Sequence, residues 1–102
     1  MNEGYKIKAI VKRADEPRGH MTSISCSLKN LQNIVEGYIE TVTIGPGLVI
    51  ICNEEGRLRG LPYNCEVAGI TFVGDIICIG AEGDEFADVP ISLKEWDEIM
   101  TP

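Results

Sequence analysis

Histidine occurs once in this chain, at His20, and no two of the four cysteines, at 26, 52, 65 and 78, stand in a C-x-x-C pair. Local ligand pairs of the kind that build zinc sites are missing, so no metal centre is expected. The same scarcity leaves acyl transfer without parts, because an activated serine or thiol needs a base beside it. Ser23, Ser25 and Ser27 are already explained by strand alternation and helix capping. The turns Gly45-Pro46-Gly47 and 80–83 lack the lysine and following helix of a phosphate-binding loop. Glu54 and Glu55 offer adjacent carboxylates, but neighbours in an extended chain point to opposite sides. The expectation is a noncatalytic protein that needs no cofactor.

Long apolar runs are also missing, and none approaches the length needed to cross a bilayer. Met1-Asn2-Glu3-Gly4 has neither the basic nor the apolar region of a signal peptide, so a cytoplasmic protein is expected, with no membrane partner. In a reducing cytosol the cysteines stay thiols. Cys52 and Cys78 lie inside apolar runs and read as small core residues. Basic residues are few: 9 Lys and Arg stand against 16 Asp and Glu, a net charge of −7. Nonspecific nucleic-acid binding draws on many cations, so nucleic acid is not an expected partner. The signs are unevenly spread. Lys6, Lys8, Lys12, Arg13 and Arg18 open the chain, whereas Glu82 to Glu98 is strongly acidic. A basic first strand close to Arg57 and Arg59 would make a local positive site fitted to a small anion.

The most informative stretch present is Leu48 to Asn64. Leu48-Val49-Ile50-Ile51-Cys52 has the length and β-branched content of a strand buried on both faces. Asn53-Glu54-Glu55-Gly56 then reads as a tight turn, with Gly56 at a position needing positive φ. In Arg57-Leu58-Arg59 an extended backbone would project both guanidinium groups to one side. Gly60-Leu61-Pro62-Tyr63-Asn64 reads as a second turn, fixed by Pro62. A buried strand that delivers arginines, amides and a tyrosine into a rigid loop is a way to present a recognition surface. The candidate ligand-binding residues are Asn53, Glu55, Arg57, Arg59, Tyr63 and Asn64. The plainer alternative is that Asn53, Gly56 and Asn64 serve turn geometry while the arginines solvate a hairpin.

These residues carry a resemblance. Gly37, Ile39-Glu40, Cys52-Asn53-Glu54-Glu55-Gly56, Gly60-Leu61-Pro62-Tyr63-Asn64 and Gly74-Asp75-Ile76-Ile77 resemble the shared pattern of domain-of-unknown-function family 3846, over roughly Ser27 to Val89. That resemblance implies a phage or mobile-element setting and carries no chemistry of its own.

Elsewhere the pattern sets out a small domain, 1–102. Tyr5, Ile7, Ala9 and Val11 alternate with Lys6, Lys8 and Lys12, a half-buried strand with a basic outer face. Residues 20–26 form a second strand hairpinned to it. Ser27 caps a short helix with Leu28, Leu31, Ile34 and Val35 on one face, and Gly37 is the expected left-handed stop. Residues 38–52 form a hairpin through Gly45-Pro46-Gly47. Residues 70–79 read as one long strand bent at Gly74-Asp75, and 85–89 as a short edge strand ended by Pro90. Ser92 and Glu95 make a capping box, with Ile91 and Trp96 at the staple positions of a last helix. The fold class is α+β: an antiparallel sheet of five to six strands with two short helices, in the order β-β-α-β-β-β-β-α.

Three functions fit. The first is a phage or mobile-element sponge that sequesters a small anionic nucleotide, a cyclic immune signal, as a homo-oligomer with ligand between subunits. The second is a protein-binding inhibitor of a host defence nuclease or signalling complex, acting through Glu82, Asp84, Glu85, Asp88, Glu95, Asp97 and Glu98. The third is a structural oligomer without a ligand.

Overall fold

The apolar run from Leu48 is a strand covered on both faces, and the rest of the chain is layered around it. The computed structural model describes residues 5–102. In chain order the elements are β1 (Lys6–Lys12), β2 (His20–Ser25), α1 (Leu28–Val35), β3 (Ile39–Gly45), β4 (Leu48–Asn53), β5 (Tyr63–Val67), β6 (Ile70–Val73), β7 (Ile76–Glu82), β8 (Glu85–Ala87), α2 (Leu93–Ile99) and β9 (Met100–Thr101). The fold is α+β, as expected. A six-stranded antiparallel sheet runs β2-β1-β7-β4-β3, with β8 also paired to β7.

Alternation along β4 and β7 explains their unbroken apolar character. Val49, Ile51, Ile77 and Ile79 face α1, where they meet Leu31 and Val35. Ile50, Cys52, Ile76 and Cys78 face the other way, toward Cys65, Val67, Phe72, Trp96 and Met100. Each face therefore needs its own cover, and burial of one such large side chain contributes roughly 1.5–3 kcal/mol.

The cover of the second face departs from expectation. Residues 70–79 are two strands in different sheets, because Gly74 takes φ +73 and turns the chain out of β6 into β7. Tyr63 and Asn64 belong to β5 and are not a turn. A second, three-stranded sheet in the order β6-β5-β9 results. Its hairpin turns on Ala68 and Gly69, both at positive φ.

Both helices begin as their caps require. The Ser27 side chain accepts from the Asn30 amide at 3.1 Å, and the Ser92–Glu95 capping box is complete. Trp96 is fully buried on α2, over Gly19, where a side chain would press on the indole. The end of α1 corrects the expected stop: Glu36, not Gly37, is left-handed, at φ 64. Gly37 is needed for another reason. A Cβ there would lie 2.7 Å from the Asn53 amide nitrogen and 3.0 Å from an Arg59 guanidinium nitrogen.

Lys12 is a second correction. It is 2% exposed, not part of a basic outer face, because β5 and the loop after β1 close over it. Lys6 and Lys8 remain exposed at the opposite end of β1.

Candidate functional site

The segment from Asn53 to Asn64 joins the two sheets, and its two amides anchor the joins. Asn53 is 5% exposed; its Nδ2 donates to the Val35 carbonyl at 2.9 Å and its Oδ1 accepts from the Glu55 amide at 2.8 Å. One side chain thus ends α1 and starts the loop. Asn64 is 4% exposed, and its Nδ2 donates to the carbonyls of Lys12 and Gly74, at 2.8 and 2.7 Å. Its Oδ1 accepts from Lys12 Nζ at 3.0 Å. The ammonium gives its other protons to the Arg13 and Glu16 carbonyls, so all three donors are used and the buried charge is solvated by neutral oxygens.

Between these anchors the chain coils instead of extending. The Arg59 amide donates to Glu55 at 2.9 Å, Gly60 to Arg57 at 3.1 Å and Leu61 to Gly56 at 2.9 Å. Gly60 supplies the positive φ, at 67°, and Gly56 does not. Gly56 instead lets the loop close on β6, since a Cβ there would meet Val73 at 2.8 Å. Coiling also separates the arginines. Arg57 donates to the Thr71 carbonyl of β6 at 3.0 Å, and Arg59 to the Glu36 carbonyl beyond α1.

A cleft of about 460 Å³ opens where the loop, β3 and β4 face β6. Val42, Cys52 and Phe72 give it apolar lining, and Glu40, Glu54 and Arg57 supply its charge. Burial first, and then the neighbouring Glu40 carboxylate, push the Cys52 thiol up to about 11. Burial alone takes Cys78 to about 12, and burial also raises Cys65 against the opposing charge of Lys12. Those three thiols stay protonated near neutrality and are poor nucleophiles. A second, more open hollow of about 380 Å³ lies on the other side of the loop, between the end of α1, Tyr38 and Glu55.

The family model described as Domain of unknown function (DUF3846) matches residues 7–100. The chain belongs to this family. No curated protein and no solved structure matches it.

In this DUF3846 chain the six candidate residues divide three ways. Asn53 and Asn64 are buried and their amides are committed to backbone groups. Arg57 lines the larger cleft and Glu55 the hollow behind it, while Arg59 reaches toward the end of α1. Tyr63 is 52% exposed at the start of β5 and lines neither recess. The local positive site that a first strand close to the arginines would make does not form. In the sheet register Lys8 lies level with Gly80 and Leu48, at the end of β4 opposite Asn53, and Lys12 is buried. Residues absent from the sequence expectation, above all Glu40, Val42 and Thr71, complete the cleft. Glu40 had a signal: it is the one charge between Tyr38 and Cys52.

Proposed function

We propose that the protein is a noncatalytic binding domain whose cleft beside Arg57 takes a small nucleotide. The observation that carries this reading is the pairing, in one recess of about 460 Å³, of an exposed guanidinium with the carboxylates of Glu40 and Glu54 over apolar lining. Arg57 uses one nitrogen on Thr71 and keeps the rest of its donor fork for a phosphate. The carboxylates suit the N–H donors of a base edge, and the volume falls within the usual range for small-ligand pockets. Two carboxylates beside one arginine disfavour a dense polyanion and favour a ligand that carries donors as well as charge. In a mobile-element setting this is a counter-defence sponge that holds a nucleotide signal without hydrolysing it. Noncatalysis fits the protonated thiols of Cys52, Cys65 and Cys78. It fits also His20, which sits on the far sheet edge 3.3 Å from Glu16.

The test is native mass spectrometry of the purified protein against linear and cyclic mononucleotides and dinucleotides. A stoichiometric mass gain is expected, lost in Arg57→Ala, with the ligand recovered unmodified after denaturation. A bare spectrum across the panel would sink the reading, and a chemically altered ligand would make the protein an enzyme.

A further inference from the structure

Among the described residues the sheets end on five strands, and four of those edges are blunted. β9 has two residues and β8 three, the latter starting at Glu85 and flanked by Asp84 and Asp88. β6 has its Thr71 carbonyl occupied by Arg57. β2 is polar, and His20, Met21, Thr22 and Ser23 are all exposed; Lys8 stands opposite Ser23. β3 carries a single acidic residue, Glu40, and a bulge at Ile44, between Thr43 and Gly45, and is regular over residues 39–43. It spans Ile39–Gly45 with Ile39, Thr41, Val42, Thr43 and Ile44 all β-branched, carries no proline or cation, and pairs with β4 alone. A strand of this kind is a template for main-chain pairing.

We infer that β3 pairs with β3 of a second copy, antiparallel about a twofold axis at Val42. The backbone admits only registers that set outward residues opposite outward residues, and of these a twofold at Val42 is the one that sets threonine against threonine at two pairs. The Glu54 amide donates to the Tyr38 carbonyl, so residues 38, 40 and 42 turn their polar groups toward β4. Ile39, Thr41 and Thr43 turn theirs to the open edge. A twofold at Val42 joins each Thr41 to Thr43 of the other copy, both with outward groups and both in the regular part of the strand, and keeps the two Glu40 carboxylates apart. A twofold at Glu40 would instead place like charges face to face, which is unfavourable. Threonine pairs and β-branched pairs are good cross-strand neighbours.

Opposed residues in a sheet share a face, so Glu40 and Val42 of both copies lie on the cleft side. The second sheet packs β6 over β4, and Val42 and Ile44 of β3 are half-buried at the margin of the same core. Across the twofold the two β6 strands then stand about three interstrand spacings apart, or about 14 Å. The two clefts open onto one groove floored by the paired β3 strands. The pairing needs no ligand, so it stands or falls independently of the nucleotide reading.

The test is the solution mass of the full chain by light scattering, with amide exchange over a dilution series. The expected mass is twice the 11.2 kDa of the chain. Thr41→Lys with Thr43→Lys sets lysines opposite lysines at both pairs and is expected to halve the mass. Thr41→Lys with Thr43→Glu sets each new cation opposite a new anion and is expected to restore it. A wild-type mass of one chain would overturn the inference, leaving the edge for a strand of another protein. So would a doubled mass indifferent to the two lysines, or a folded Lys/Glu variant that stays single. Should the lysine variant fail to fold, exchange in the wild type decides: the Thr41 and Thr43 amides gain protection with concentration, and amides that exchange equally at every dilution overturn the pairing.

Discussion

Asn53 and Asn64 lie at the two ends of one polar segment, and Arg57 and Arg59 lie in its middle, yet the two pairs have opposite fates. The amides are about 5% and 4% exposed, with every contact made to backbone or to Lys12. The middle is open enough for Leu58 to be 88% exposed, and each arginine makes a single exposed bond to a carbonyl. The difference teaches that a side chain able to imitate the backbone is drawn to places where strands part and carbonyls lose their ladder partners. A guanidinium, with its long stem and obligatory charge, is left at the rim. The junctions hold the fold, and the loop between them is left exposed.

The sharpest way to break this contrast is at Asn64. Asn64→Ala strips one acceptor from a buried ammonium and takes a buried donor from each of the Lys12 and Gly74 carbonyls. A loss of about 3–4 kcal/mol is expected in chemical denaturation. Adding Lys12→Met should recover part of that loss, because the stranded charge goes with it. A cost below about 1 kcal/mol for Asn64→Ala would mean the junction is no anchor.

Next in size is the other junction. Asn53→Ala frees one α1 carbonyl and one loop amide, each a single neutral bond, and should cost about 2 kcal/mol. Gly37→Ala should do similar damage from outside, since its Cβ would press on the Asn53 amide, which is itself held at both ends. The two changes act on one contact. Their combined cost should therefore fall short of the sum, which a double-mutant cycle measures.

Much of this architecture can be read from residue order, and the failures have particular causes. Leu48–Cys52 and the Ser92–Glu95 box are legible because apolar run length and capping chemistry are local. Residues 70–79 mislead because a glycine bend within one sheet and a glycine exit to another look alike until Gly74 is seen at positive φ. Asn64 follows Pro62 and so resembles turn punctuation, although it lies in β5 and binds a lysine 52 residues away. Lys12 reads as surface for the same reason: a cation's burial depends on distant oxygens. The cleft was half legible. Arg57 lies on the loop that sequence singles out, whereas Glu40 and Thr71 arrive from two other strands.

The β5–β6 hairpin sharpens the comparison with a turn that is exposed and short. Ala68 holds φ 53 and precedes Gly69 at φ 77, the pair of positive values that favours Asn-Gly over Ala-Gly. Ala68→Asn is expected to stabilise by about 0.5–1 kcal/mol, read as a higher denaturation midpoint at unchanged slope. The gain comes from backbone preference alone, since position 68 is exposed and the introduced amide would have no buried group to serve. If Ala68→Asn were instead to destabilise, backbone conformation would not be what governs this turn.

The smallest effect belongs to the loop itself. Arg57→Ala and Arg59→Ala each remove one solvent-exposed bond to a carbonyl, and exposed charges are screened and entropically costly to hold. Each should change stability by no more than about 0.5 kcal/mol. Arg59 sets its charge against the carbonyl end of α1, a favourable placement, so it should be the larger of the two and should shrink as salt is added. Arg57, by contrast, should matter little to folding at any salt while removing the cation from the cleft. A cost above about 1.5 kcal/mol for Arg57→Ala would put the loop among the structural junctions. Its guanidinium would then be a clamp on β6 instead of a group held ready for a ligand.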